Sequence, residues 1–231
     1  MKSRVPGNGC SDGLLIQACR VCLSTEVELY QTVGGKAYWH CRDCRAVWID
    51  AAHLPDEQAE LNRYRLHHNA PADPGYRRFL DQLAQPLLAR LAPGSEGLDY
   101  GCGPGPALAQ MMIEAGHCVR LYDPFVHPDA SALQGTYDFI TCTEVVEHFH
   151  HPAAEFARLD RLLRPGGWLA IMTCFLTDDE HFADWYYRRD LTHVVFYREE
   201  TFRLLEARFN WYCEIPAQNI VFMRKKGEFS A

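Results

Sequence analysis

Apolar positions along the chain change period in a definite order. Residues 26–40 alternate as in a β-hairpin, with Gly34-Gly35 where the turn would fall. A polar stretch at 56–64 and a segment punctuated by proline and glycine at 69–75 follow. Tyr76, Phe79, Leu80, Leu83, Leu87, Leu88 and Leu91 then recur at helical spacing, which predicts a helix packed beside a sheet, with Pro86 as a kink. From residue 95 onward strand-like and helix-like runs alternate, the pattern of a parallel, doubly wound α/β sheet.

The first of these units ends a strand at Leu98-Asp99-Tyr100, turns through Gly101-Cys102-Gly103-Pro104-Gly105 and enters a helix over 106–116. Proline at the helix start and glycine at its end mark the boundaries. Glycine is demanded where φ is positive or a ligand approaches the backbone, so the amides of this turn should face a polar ligand. A second strand closes on Asp123. A third, over 137–144, leads to an amphipathic helix over 152–164 with Ala153, Phe156, Leu159, Leu162 and Leu163 on one face. A turn at 163–167 starts another strand running to Thr173. A helix over 199–209 and a hairpin from 211–215 and 219–224 complete the domain.

With 231 residues the chain holds one α/β core plus a small appendage. A net charge of −7 provides no field for a polyanion, and residues 1–50 carry six Lys or Arg against five Asp or Glu. The expected partner is therefore a small molecule rather than nucleic acid. No apolar run reaches membrane-spanning length and residues 1–6 lack a signal-peptide core, so the expected compartment is the cytoplasm.

Four of the ten cysteines are organised. Cys19-x2-Cys22, eighteen residues, then Cys41-x2-Cys44 is zinc-ribbon spacing, two knuckles presenting four thiolates to one structural Zn²⁺. His40 is the rival ligand nearby. Cys10 belongs to the tail, and Cys102, Cys118, Cys142, Cys174 and Cys213 read as small core hydrophobes. The expected organisation is a flexible tail at 1–13, a zinc ribbon at 14–50, a helical connector or cap at 51–94 and the α/β domain at 95–231.

The strand-turn-helix with Asp99 before its glycines resembles the first motif of class I S-adenosylmethionine (SAM) dependent methyltransferases, and the likeness extends over about 95–224. It implies a Rossmann-like sheet ending in an antiparallel hairpin. It also implies SAM contacts from Asp99, Gly101, Cys102, Gly103 and Gly105, with Asp123 and Pro124 at the ribose, Phe125 stacking on adenine, and Thr143 and Glu144 beside the methionine. The stretch 124–136 is too short for the third strand of that family, leaving Asp129 and Gln134 as candidates for the adenine amino group.

Glu144-Val-Val-Glu147-His148 resembles the ExxEH run of metal-dependent O-methyltransferases of ubiquinone biosynthesis and of small-RNA 3′ ends, the latter adding a distant histidine. On that likeness Glu144, Glu147, His148 and His193 would converge on Mg²⁺ or another divalent ion. Without metal, His148 and His193, with Glu147, are the catalytic candidates as general bases. His150, His151 and His181 read as surface or helix-capping groups. Residues 182–197 form the expected substrate lid, with Trp185, Tyr186 and Tyr187 stacking on an acceptor and Arg188 and Arg189 binding an anionic group. The reading is methyl transfer to a small-molecule acceptor, with oxygen as nucleophile. Its competitors are an RNA methyltransferase contacting RNA through the ribbon and a non-catalytic SAM-binding protein whose ribbon docks a partner; nothing in the sequence sets the oligomeric state.

Overall fold

The computed structural model describes residues 18–64 and 70–227; the expected tail at 1–13, with Cys10, lies outside them. The ribbon hairpin pairs β1 (Val27–Val33) with β2 (Lys36–Cys41) antiparallel. Gly34 and Gly35 both take positive φ, 57° and 78°, the backbone that a two-residue turn matching strand twist requires. A third strand, β3 (Val47–Ile49), lies beside β2.

Next come α1 (Glu57–Tyr64) and α2 (Pro74–Leu88). The start of α2 is fixed by Asp73, whose carboxylate accepts from the Gly75 and Tyr76 amides, with Pro74 in the first turn. The α/β unit runs β4 (Glu96–Tyr100), α3 (Ala107–Glu114), β5 (Cys118–Tyr122), β6 (Tyr137–Thr143), α4 (Pro152–Leu162) and β7 (Leu163–Met172). It finishes with β8 (Val195–Phe196), α5 (Glu199–Phe209), β9 (Trp211–Ala217) and β10 (Ile220–Lys225).

Six strands form the main sheet in the order β5-β4-β6-β7-β10-β9. The first four are parallel and the last pair is antiparallel, as the sequence predicts. Between β5 and β6 the described residues hold only one 3-10 turn, Ala130–Leu133, so β5 is an edge strand. That corrects the expectation for Cys118. It is exposed rather than buried, because the strand that would cover it is missing. Cys102 and Cys174 are half-buried; Cys142 and Cys213 are buried as expected.

One face of the sheet is covered by α2 and α3, where Leu80, Leu83, Leu87 and Met112 meet Phe139, Met172 and Phe222. Packing is close enough that a Cβ on Gly97 would lie 2.1 Å from the Phe139 ring. The other face carries α4 and α5, with Phe156, Leu159, Phe202 and Leu205. The ribbon shares this second core, which also contains Cys19, Cys44, Val47 and Trp48. It shares a sheet as well: β8, at the end of the lid, pairs with β3 through Val47↔Phe196 and Trp48↔Val195. The smaller sheet therefore reads β1-β2-β3-β8 and crosses the expected boundary at residue 50. Two local features bear on the site. Residues 146–148 form a single 3-10 turn, and Pro165-Gly166-Gly167, expected as a turn, stays inside β7, whose register against β6 shifts between Tyr137 and Phe139.

Candidate active site

The glycine turn is built by two strand ends. Gly101 and Cys102 both donate their amides to the Tyr122 carbonyl, at 2.7 and 3.2 Å. Gly101 and Gly103 have φ of 77° and 62°, and a Cβ at Gly101 would come within 2.6 Å of both Val145 methyls. The turn is thus specified by conformation and by space. Asp123, 1 % exposed, ties the loops together: its carboxylate accepts from Gly103 (3.1 Å), Phe125 (2.9 Å) and Val126 (3.1 Å).

Asp99 sits beneath the turn, 4 % exposed, accepting from Thr141 Oγ1 at 2.7 Å and from the Ala109 amide in the first turn of α3. Burial pushes its carboxyl up to about 6 despite those donors. It does not line the cavity above, and neither does Gly105, whose carbonyl accepts the Ala107 amide.

That cavity, about 550 Å³, is floored by Gly101, Cys102, Gly103, Thr143 and Glu144. Tyr186, Tyr187, Arg189 and His193 form the facing wall, and α1 and α2 contribute Arg63, Tyr64 and Tyr76. The Thr143 hydroxyl is buried there with no protein partner, a group a ligand would satisfy. A second cavity of about 250 Å³ holds Asp123, Pro124 and Phe125 and shares Gly101, Tyr64 and His148 with the first. Tyr64 packs on Phe125 at 5.2 Å between ring centroids and so stands where the two spaces meet.

Beyond β6 the chain turns sharply. Glu144 has φ 53°, strained for a residue with a side chain, and this lets the 3-10 turn bring Glu147 and His148 inward. Glu147 is fully buried; Oε2 accepts from Thr173 (2.9 Å) and Oε1 from Tyr187 (2.5 Å). His148 Nδ1 lies 2.9 Å from the Thr192 carbonyl and His193 Nδ1 2.7 Å from the Tyr187 carbonyl. A carbonyl can only accept, so both Nδ1 atoms carry the proton and both Nε2 atoms keep a lone pair.

Ligand atoms of Glu147, His148 and His193 all fall within 4.8 Å of one another, while Glu144 lies outside that group. The expected four-residue set is thereby reduced to three, because the strained turn points Glu144 to the cavity floor. Burial lowers His148, and burial together with the closeness of a second imidazole, His148, lowers His193 to about 4. Both imidazoles are neutral at pH 7. Burial raises the carboxyls of both Glu147 and Glu144, and the Glu147 charge adds to the effect on Glu144.

In the lid, Tyr187 is buried against His193 and Tyr186 is 70 % exposed at the cavity rim. Trp185 packs on Tyr187 and Phe196 and does not line the cavity. Arg188 is occupied elsewhere, donating to the Phe182 and Ala183 carbonyls and to the Tyr38 hydroxyl. Arg189 does line the cavity, with a mostly exposed side chain.

Residues 72–214 match the methyltransferase-domain family Methyltransf_23. The chain belongs to that family. Its fold is that of class I SAM-dependent methyltransferases. The ubiquinone biosynthesis O-methyltransferase of Sodalis glossinidius is 34% identical over 35% of this chain and 32% of its own length. That of Thiobacillus denitrificans is 33% identical, over 35% and 44%. The chain thus spans less than half the length of these curated relatives. Among solved structures, the 1,6-didemethyltoxoflavin-N1-methyltransferase of Burkholderia thailandensis, with bound 1,6-didemethyltoxoflavin and S-adenosylhomocysteine, superposes with a TM-score of 0.53 at 16% identity, covering 86% of this chain and 99% of its own. An O-methyltransferase family protein from the same organism gives 0.50 at 15%, covering 82% and 66%.

Several residues that line the cavity were missed by sequence reading. Arg63 grips Asp190 through Nε (2.7 Å) and Nη2 (2.6 Å), and Asp190 also accepts from the Thr192 amide and hydroxyl. Burial would raise Asp190, but these donors outweigh it and hold its carboxyl well below the usual range. Tyr64 and Tyr76 likewise carried no signal, one lying in a polar run and the other at the start of a helical repeat. His150 pairs with Glu60 at 2.8 Å, His181 with Asp178 at 2.6 Å, and His151 occupies the N-cap position of α4.

The four ribbon cysteines converge as their spacing predicts. Cys19 and Cys44 Sγ are 3.5 Å apart, as are Cys22 and Cys41, near the ~3.8 Å edge of a tetrahedron with 2.3 Å Zn–S bonds. Amides of Val21 and Cys22 point at Cys19 Sγ, and that of Cys44 at Cys41 Sγ, as thiolates require. All four donors fall within 4.8 Å of one another; His40 is not among them and pairs with Glu28 instead. The donor set fits Zn²⁺ and leaves no open position. No helix among the described residues is long and apolar enough to cross a membrane.

Proposed function

We propose that this methyltransferase moves the methyl group of SAM to an oxygen of a small acceptor held at Glu147, His148 and His193. The observation that carries the reading is the pair of imidazoles in a cavity that opens on the glycine turn, each with Nδ1 held by a backbone carbonyl and each with a ligand atom within 4.8 Å of one on the buried Glu147 carboxylate.

The Gly101–Gly103 turn receives the amino acid end of SAM, and Thr143 offers its unpaired hydroxyl. Asp123, with Pro124 beside it, meets the ribose, and Phe125 with Tyr64 covers adenine. As the acceptor oxygen bonds to the methyl carbon, the carbon–sulfur bond breaks and its electrons return to sulfur, giving neutral S-adenosylhomocysteine. SAM is already activated, so in-line placement supplies most of the catalysis. A hydroxyl acceptor loses its proton to Nε2 of His193 or His148, both neutral at pH 7. A divalent ion such as Mg²⁺ held by Glu147, His148 and His193 would lower the acceptor's pKa and favour one with two adjacent oxygens. Tyr186 at the rim flanks the acceptor body and Arg189 meets an anionic group on it.

The relatives named as O-methyltransferases support oxygen as nucleophile. Incubation with methyl-labelled SAM and a panel of catechols and hydroxy acids, with Mg²⁺ or with chelator, tests the reading. A labelled ether whose formation falls about 100-fold or more in His193→Ala supports it. Label found only on nitrogen or carbon, or transfer indifferent to that substitution, contradicts it.

A further inference from the structure

The ribbon and the acceptor site meet at one residue. Val194 donates its amide to the Glu147 carbonyl at 2.9 Å, and its own carbonyl accepts from the Ile49 amide of β3 at 3.0 Å. Its predecessor in the chain is His193. Its successor, Val195, opens β8, the strand that pairs with Trp48 and Val47 of the ribbon. Tyr197, two residues further, is fully buried and donates its hydroxyl to the Val146 carbonyl at 2.8 Å, gripping the 3-10 turn that carries Glu147 and His148.

The ribbon end of this chain of contacts begins at the cysteines. Arg45 takes φ 63°, Cys41 donates its amide to the Ala46 carbonyl at 3.0 Å, and β3 starts at the next residue. The second knuckle therefore folds directly onto the strand that bonds Val194. A further ribbon contact reaches the lid, where the Tyr38 hydroxyl takes a hydrogen bond from Arg188 at 3.3 Å. The SAM side is held differently. Its glycine turn is bonded to Tyr122 and Asp123, and none of those bonds involves the ribbon.

We propose that the ribbon is a positioning element for the acceptor site: β3, through Ile49 and Val194, holds the segments bearing Glu147 and His193 at the separation where their donor atoms meet those of His148. Ile49 and Val194 are positioning residues here, acting through backbone bonds worth about 1 kcal/mol each plus the surrounding packing. Metal at the four cysteines then sets acceptor-side geometry while leaving SAM binding alone. The inference rests on the reading of Glu147, His148 and His193 as the acceptor-side donors.

Hydrogen exchange on the full chain, saturated with S-adenosylhomocysteine, tests it by comparing zinc-loaded protein, zinc-depleted protein and zinc-loaded Ile49→Pro, which lacks the amide that bonds Val194. Exchange at 144–149 and 190–197 should accelerate about tenfold or more in the second and third samples. Exchange at 98–105 and 120–126, and the affinity for S-adenosylhomocysteine, should stay within about twofold. Unchanged exchange at 144–149 overturns the proposal, and so does equal loosening of all four segments, which would make the ribbon a general stabiliser. Should Ile49→Pro fail to fold, the zinc-depleted wild type still gives the comparison. Mn²⁺ uptake, followed in the same samples, should weaken about tenfold alongside the faster exchange. If zinc-loaded wild type takes up no Mn²⁺, the divalent-ion part of the functional reading fails, while the exchange pattern still decides the coupling.

Discussion

His148 and His193 meet edge to face with ring centroids 4.8 Å apart, each ring fixed by an Nδ1 hydrogen bond to a backbone carbonyl. Two neutral imidazoles so held present both Nε2 lone pairs without rotational freedom, which suits either proton acceptance or ion binding. Replacing His193 by Ala should reduce methyl transfer about 100-fold or more while the dissociation constant for S-adenosylhomocysteine changes less than about threefold. Calorimetry with the product, beside single-turnover transfer, separates the two quantities. A variant that loses product binding as well would place His193 in the cofactor site instead.

The glycine turn makes a steric demand that can be tested in two steps. Gly101→Ala introduces a methyl 2.6 Å from the Val145 side chain at a φ of 77°. The left-handed backbone alone costs about 1 kcal/mol or more. SAM affinity should fall about tenfold or more. Adding Val145→Ala removes the clash but not the strain, so it should restore only part of the loss; full recovery would show that conformation contributes nothing.

Asp99 gives a pH signature. Burial pushes its carboxyl up to about 6, above the unfolded value near 3.9, so the folded state holds the proton more tightly than the unfolded chain does. The stability this contributes is complete below about pH 4 and is lost as pH rises through 6. Wild type minus Asp99→Asn stability, from urea midpoints, should therefore fall between pH 4 and pH 7 by up to about 3 kcal/mol. A difference that rises over that range would mean the carboxylate is favoured in the fold.

The cysteine cluster should bring metal with the purified protein. One zinc per chain is expected by elemental analysis, and Cys44→Ser, at a fully buried donor, should lose most of it and melt at lower temperature. Full zinc content in that variant would exclude Cys44 as a ligand.

Much of this was legible in the chain because the relevant signals are local. The Cys-x2-Cys pairs, the Gly34-Gly35 turn, the glycine loop after β4 and the amphipathic period of α4 each depend on a few adjacent residues. The missing third strand was legible too, simply as a segment too short to hold it. Other features required tertiary placement. β8 is two residues long and joins the ribbon sheet, and nothing in its sequence announces that partner. Arg188 and Arg189 are indistinguishable neighbours in sequence, yet one is spent on backbone carbonyls and the other faces the cavity. Glu144 and Glu147 look equivalent in the same run until the positive φ of Glu144 separates them.

A crystal structure of the S-adenosylhomocysteine complex tests the proposed site most directly, through the distance from the product sulfur to Nε2 of His193. With the homocysteine on the Gly101–Gly103 turn and one acceptor oxygen between the two atoms, that distance should be about 5–7 Å, the span of a methyl group and a contact of about 3 Å on either side. A sulfur more than about 10 Å from His193, or pointing away from Glu147 and His148, would contradict the assignment of the acceptor site.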